Sequence, residues 1–455
     1  MNMKQIFHLS FFAIASALIV SCNNGKKQTA SDAVILKNVT LIDGNGGQPQ
    51  EHTDILIQGD RIAAIGQNLN ADDVKILDLE GKTVMPALIS DHVHIGSLKG
   101  TANKGEFYTE ENIKAQLQKY QDYGVLNIMV MGSDRPLIFE KGIRDASLAG
   151  NYPGARLHSA AYGFGVPNGA PPIEFAMDYV YRPNKTELIA AQMDSLVKQK
   201  PEFVKIWVDD FGGKYTKMDP AIYKEIIQEA HKRGLRVAAH AYYLSDARQL
   251  VNDGVDVIGH SIRDSVIDNA LIQQIKSRGI AYIPTLSLDE FAYIYARKPE
   301  WINDPFFKAS LEPGVYQMIT SEKYQNDLKS SPVYAKNVQA FDTALKNLKK
   351  LYDADVLIAL GTDSGAMPLR AQGFSEHLEL ELMVQAGLTP LQSITVGTKN
   401  AAKLLKIDKR YGTIEKGKIA DLLILKGDPA KDIKQTRSIY AVYKAGKEVS
   451  KGPLK

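Results

Sequence analysis

His92 and His94 flank Val93. In an extended chain, residues two apart project to the same face, so the two imidazoles are placed to share one metal ion. Four further residues extend the set. Lys205 lies inside the apolar run 203–208, His240 follows 235–239, and His260 follows 255–259. Asp363 follows 356–360 through Gly361 and Thr362. Four imidazoles and a carboxylate at the ends of apolar segments are the donor types of a zinc-like site. Taken singly, each has a plainer reading. A lone buried histidine is usually a hydrogen-bonded structural residue, and a strand lysine can snorkel to a rim. The recurrence of the pattern favours a metal site. His8, His52, His158 and His231 have ordinary settings, whereas His377, beyond Asp363, is a candidate to hydrogen-bond a ligand from behind.

A framework that brings these residues together is legible. A helical stretch, then glycine or a small polar residue, then a short apolar strand recurs at 124–131, 234–239, 254–259, 279–283 and 354–360. Glycine after a helix is the left-handed cap, and a wholly apolar strand after it is the buried parallel type. The runs 87–90, 155–161 and 203–208 complete eight strand candidates. Asp219-Pro220 is a helix start, with the cap followed by proline in the first turn, and another helix is expected from Ser245. Eight such units predict an α/β fold, a (β/α)8 barrel over 87–410, whose functional residues belong at the C-terminal ends of its strands. An open doubly wound sheet would want a Gly-rich phosphate loop, and none is present. The segments 33–86 and 411–455 show strand alternation with Asp/Asn-Gly turns, which predicts one small β-sandwich built from both ends.

Two loops are candidate pocket walls. Residues 162–172 carry no titratable group beyond tyrosine, so they would shape rather than catalyse. Residues 289–331 are long and aromatic; a lid and extra helices packed on the barrel are both open. Tyr242, just past His240, is a candidate to polarise a substrate carbonyl, or a rim aromatic. Arg263 is a candidate partner for a substrate carboxylate, or a surface arginine.

Composition narrows the class. The chain has 455 residues, 44% hydrophobic and 24% charged, with a net charge of +3, so neither a disordered chain nor a nucleic-acid binder is indicated. A single cysteine excludes an intrachain disulfide and a Cys-based zinc site. That cysteine, Cys22, ends a twelve-residue apolar run (9–20) preceded by Lys4. The run is shorter than the roughly 20 residues of a spanning helix and has the length of a signal peptide core. The ending Ile19-Val20-Ser21-Cys22 resembles a bacterial lipoprotein signal. It implies a leader over 1–21, lipidation at Cys22, a polar tether over 22–32, and anchoring in a bacterial cell envelope, on a periplasmic or outer-membrane face.

The mature chain resembles the amidohydrolase superfamily, in the branch of imidazolonepropionase-related proteins and Xaa-Pro dipeptidases. The resemblance is carried by LIDGNG, MPALISDHVH, VKIWVDD, AAHAYY, VIGHS, LGTDSG and GTIEKGKIADLLIL. It implies two divalent ions, zinc by expectation. His92, His94 and Asp363 would hold one and His240 and His260 the other, with Lys205 carboxylated and bridging them. A carbamate is a good hard ligand where an ammonium would be repelled. Asp363 would accept the proton of the attacking water and pass it to the leaving amine. Ala87 and Ser90 depart from the family's usual glycine and aspartate, with Asp91 one place later. The implied reaction is hydrolysis of a C–N bond in a small molecule, such as an Xaa-Pro dipeptide, an N-acyl amino acid or a cyclic amide. Hydrolysis of an ester, lactone or phosphoester on the same ions stays open, as does a non-catalytic ligand-binding lipoprotein.

Overall fold

The computed structural model describes residues 33–71 and 74–454, so the leader, the tether and Cys22 lie outside the described residues. Seven parallel strands run around a barrel: Leu88–Val93, Val125–Val130, Arg156–Ser159, Phe203–Trp207, Arg236–His240, Val257–Gly259 and Ala281–Ile283. The eighth segment is reduced. It pairs with the seventh strand through the Tyr282–Ile358 bridge, and with the first through the hydrogen bond from Asp91 N to Leu360 O at 2.7 Å and, just past the segment, the Val93–Ser364 bridge. Glu202 N to Ser159 O, at 3.0 Å, joins the third strand to the fourth and completes the ring. Inside it pack Ile89, Met129, Phe203, Ala238, Val257 and Ala359.

The expected helix starts are present. Asp219 caps helix Pro220–Lys232 by accepting from Ala221 N at 2.8 Å, and helix Leu244–Asp253 begins one residue before the expected Ser245. The two ends of the chain share one eight-stranded sheet. Thr83–Pro86 pairs antiparallel with Leu422–Leu425 and parallel with Ala33–Leu41, and so stitches the termini together. Leu36, Ile55, Ile62, Val84, Leu422 and Ala441 contribute to a common core on this sheet. Arg156, at the base of the third strand, makes a buried ion pair with Asp421 and ties the sheet to the barrel.

The stretch 289–331 folds as short helices on the barrel flank. Its Trp301 and Phe307 lie 4.7 Å apart, and Trp301 packs at 5.1 Å on Phe374, so the packed reading holds rather than the lid.

Closure at the eighth strand rests on Glu376 of helix Phe374–Gln385. Its carboxylate accepts from Ser90 Oγ (3.2 Å), Thr362 Oγ1 (2.6 Å), Ser364 Oγ (2.9 Å) and Gly373 N (2.8 Å). These donors come from the first strand, the eighth segment and the loop between that segment and the helix. Glu376→Ala would leave all four without that acceptor in a fully buried place, and each orphan costs about 1–3 kcal/mol. A loss of about 3 kcal/mol or more is expected in urea unfolding. A loss below about 1 kcal/mol would remove this network from the account of barrel closure.

Candidate metal centre

Each expected ligand sits at or near the C-terminal end of a barrel strand. Between Ser90 and Val93 the pairing with the second strand slips, with Ser90 opposite Ile128 and Val93 opposite Val130. A bulge of this kind re-aims side chains. His92 thereby turns into the barrel, 4.5 Å from the ring of His260 and 5.7 Å from that of His94. His260 and Asp363 have φ of 70° and 57°, and Thr285 has 53°. The left-handed region is costly for residues with a side chain, by roughly 1–2 kcal/mol. Such residues at three neighbouring strand ends mark a place where the fold accepts strain to aim side chains.

The donor atoms of His92, His94 and Asp363 lie within 4.8 Å of one another. Asp363 Oδ1 is 2.8 Å from His94 Nε2 and 3.4 Å from His92 Nε2. The rings of His240 and His260 are 4.1 Å apart, edge to face, so the four imidazoles form one continuous cluster. Outer groups fix ring orientation, as ligand histidines require. His94 Nδ1 meets Ser133 Oγ at 2.5 Å, and His260 Nδ1 meets Thr285 Oγ1 at 2.9 Å.

Lys205 pairs with Ala238, one layer below the Trp207–His240 pair, so its side chain must rise toward the ring of donors. Gly132, with φ of 79°, admits it; a Cβ there would stand 2.7 Å from Lys205 Cβ. The Lys205 amine is buried with no hydrogen-bond partner. Burial drives it down to about 7, against the pull of Asp363. His92 is pushed down to about 3 by burial and then by Lys205. Burial likewise depresses His240 and, more strongly, His260. For Asp363 burial alone acts upward, but Arg370 and then His94 outweigh it and hold the carboxyl well below its usual range. Three imidazoles kept uncharged by burial and an ionised carboxylate, beside a buried amine with no partner, suit divalent cations, and these residues fit a metal centre.

The cluster forms the floor of a cavity of about 170 Å³. Pro171, Pro172, Phe175, Met177, Trp207 and Phe211 give it an apolar wall, and Arg263 and Arg370 also line it. The 162–172 loop therefore shapes the cavity through its prolines, as expected.

Two expected residues stand elsewhere. Tyr242 does not line the cavity; its ring lies under the Arg263 guanidinium, 4.5 Å from ring centre to Cζ. His377 faces away from the ligands. Its Nε2 meets Tyr123 O at 2.8 Å and its Nδ1 meets Thr436 Oγ1 at 3.0 Å, because the barrel-facing position on that helix belongs to its neighbour Glu376. Arg263 reaches the cavity wall, held by Asp289 Oδ1 at 2.8 Å. Asp209, just past the fourth strand, is buried at 3.2 Å from His240 Nε2. Arg370, which pairs with Asp363 Oδ2, was not singled out by sequence reasoning. It lies in a loop with no periodic pattern, and only its separation of seven residues from Asp363 hinted at proximity.

Comparison with known proteins bears on this arrangement. A Xaa-Pro dipeptidase crystallised with methionine in its active site superposes with a TM-score of 0.72 at 24% identity, over 92% of this chain and 99% of that one. A putative prolidase from Bifidobacterium longum gives a TM-score of 0.74 at 23% identity, over 93% and 96%. These likenesses show the fold, a (β/α)8 barrel with a β-sandwich. Dihydroorotase from Lactococcus lactis subsp. lactis (strain IL1403) is 30% identical over 105 residues, 23% of this chain. The matched stretch spans 23% of that relative's length. The Amidohydrolase family matches residues 83–449, which run from the strand that stitches the termini through every expected ligand to the closing sheet. By that match the chain belongs to the amidohydrolase family.

Proposed function

We propose that the protein is a metal-dependent hydrolase of C–N bonds in small molecules, working at the cluster of His92, His94, Lys205, His240, His260 and Asp363. The observation that carries the reading is that His92, His94, His240, His260 and Asp363 line one cavity, with the Lys205 amine buried and unpartnered. His92, His94 and Asp363 would hold one divalent ion and His240 and His260 the other, zinc by expectation. When bound, such a pair supplies Lewis acidity and a nucleophile at neutral pH by lowering the pKa of water.

The protein's own residues do the rest. Burial brings the Lys205 amine down to about 7, so near neutrality a substantial share of it is without its proton. Its lone pair would then add to the carbon of carbon dioxide, with loss of a proton, to give an anionic carbamate that would be a hard ligand for the ions. Asp363 takes the proton of the attacking water on a carboxylate oxygen and delivers it to the leaving nitrogen as the C–N bond breaks. Ser133 and Thr285 keep the imidazoles of His94 and His260 turned toward the cavity. The apolar wall keeps bulk water from the reacting carbonyl.

Metal counting with a substrate panel tests this reading. Purified protein supplemented with zinc should hold close to two equivalents and hydrolyse a member of a panel of Xaa-Pro dipeptides, N-acyl amino acids and cyclic amides. Less than one equivalent, or turnover of lactones and phosphoesters alone, would overturn it.

The lone Cys22 at the end of the apolar run 9–20 supports a lipid anchor in a bacterial cell envelope. Cys22→Ser should move the protein from the membrane fraction to the soluble one. Unchanged fractionation would dismiss the anchor.

A further inference from the structure

His240 differs from its neighbours in the cluster by the nitrogen it has left for an ion. His94 and His260 engage Ser133 and Thr285 through Nδ1, which leaves Nε2. His240 engages Asp209 Oδ2 through Nε2, at 3.2 Å. A carboxylate only accepts, so Nε2 carries the ring proton and Nδ1 carries the free lone pair.

The loop that begins at Asp209 is shaped around this contact. Trp207 pairs with His240 across the fourth and fifth strands, and Val208 N donates to His240 O at 3.1 Å, so the two strand ends are tied where the contact forms. Asp209 stands two residues past Trp207, and both line the cavity. Beyond it the chain turns twice on aspartate side chains. Asp209 Oδ1 accepts from Phe211 N at 3.1 Å, and Asp210 Oδ1 accepts from Gly212 N at 3.0 Å. Tyr243 OH also donates to Asp210 Oδ1, at 2.9 Å, and ties the loop to the exit of the fifth strand. One oxygen of Asp209 therefore holds the loop, and the other is left for the imidazole. Phe211, with φ of 51°, lies against the His240 ring at 5.7 Å with 22° between the planes. The left-handed region is costly for phenylalanine, and the fold accepts that strain where it lays a ring along the imidazole.

The contact is also shielded, because Asp209 and His240 are both buried. An imidazole that donates to a carboxylate is held in one tautomer and one orientation, and its other nitrogen becomes a stronger ligand. Resting on the metal-dependent reading and deepening it, we propose that Asp209 is a positioning residue. Its carboxylate fixes His240 with the Nδ1 lone pair free for the ion, and so sets the affinity of the half of the centre held by His240 and His260. Asp209 acts through His240 and is not itself a ligand. The turn at 209–212 does not account for the contact, since it uses Oδ1 and leaves Oδ2 out.

Zinc affinity, measured by competition with a chromophoric chelator, tests this in the wild type, Asp209→Ala and Asp209→Asn. Asp209→Ala should weaken one of the two equivalents by about 10- to 100-fold and leave the other within about threefold of wild type. Asp209→Asn keeps an amide oxygen that accepts from Nε2, so it should recover part of that loss. Equal loss in the two variants would make Asp209 a ligand in its own right. Unchanged affinities, or both equivalents weakened alike, would detach it from that half of the centre. Each of these results overturns the proposal. A second readout does not depend on zinc content. In the protein as purified, the His240 Nε2 proton should give a downfield NMR resonance, identified by its loss in His240→Asn. It should vanish in Asp209→Ala and remain in Asp209→Asn; a resonance that remains in Asp209→Ala overturns the proposal. If the wild type holds less than one zinc equivalent, the metal-dependent reading fails separately, and this resonance alone decides whether Asp209 holds the ring.

Discussion

Asp363→Asn is expected to lower kcat/KM by about 10³- to 10⁴-fold, at the upper range of what a positioned proton carrier contributes. Asparagine has the same shape, so the left-handed turn at φ of 57° and the hydrogen bond from Asp363 N to His92 O at 2.8 Å should survive. Three functions of the charge do not survive. The amide cannot take the water proton, it is a poor ligand beside His92 and His94, and it leaves Arg370 without a counter-charge. Zinc stoichiometry and thermal unfolding, run alongside the kinetics, separate the first function from the second. Retained zinc with lost turnover would place the defect in proton transfer, and loss of one equivalent would place it in ligation. Turnover within about tenfold of wild type would show that Asp363 does neither.

How much of this was visible beforehand varies with how local the signal is. Helix–glycine–strand units are short-range, so seven barrel strands could be read from caps and apolar runs. The stitching of the two termini followed from matching β character at both ends. The eighth segment was the weaker case. Its apolar run reads as a strand, but the structure holds it by isolated bridges and the Glu376 network, and nothing in residues 356–360 announces that dependence. The clustered histidines were legible because strand ends are a fixed place in this architecture. Arg370, Ser133 and Thr285 were not, because each meets its partner across a loop or between strands. Tyr242 and His377 show the converse error. Nearness in sequence to a ligand or a barrel segment suggested a role, but the turn after His240 carries Tyr242 beneath Arg263, and helical phase carries His377 toward Tyr123.

Lys205→Ala carries the second large expected effect, a fall on the order of 10³-fold in kcat with loss of about one zinc equivalent. The argument starts from the cost of the residue. A lysine 1% exposed, with no hydrogen-bond partner and the Trp207 ring as its nearest cation–π neighbour at 5.4 Å, is destabilising if it remains an ammonium. Replacing it by alanine should then leave the barrel standing, since the variant removes a buried polar group rather than a packed hydrophobe. An unfolding midpoint close to wild type, with activity gone, is the expected pattern. The variant also opens a gap the size of the lost side chain beside Gly132 and under the imidazoles. Short carboxylates such as acetate or propionate, added at millimolar concentrations, can enter that gap and present two oxygens where the carbamate would stand. Partial return of activity, with a dependence on acid length, would identify the missing group as a carboxylate. A Lys205→Ala protein that keeps both zinc equivalents and its turnover would show that the lysine is a strand residue that tolerates burial, and the centre would then have to be held by the four imidazoles and Asp363 alone.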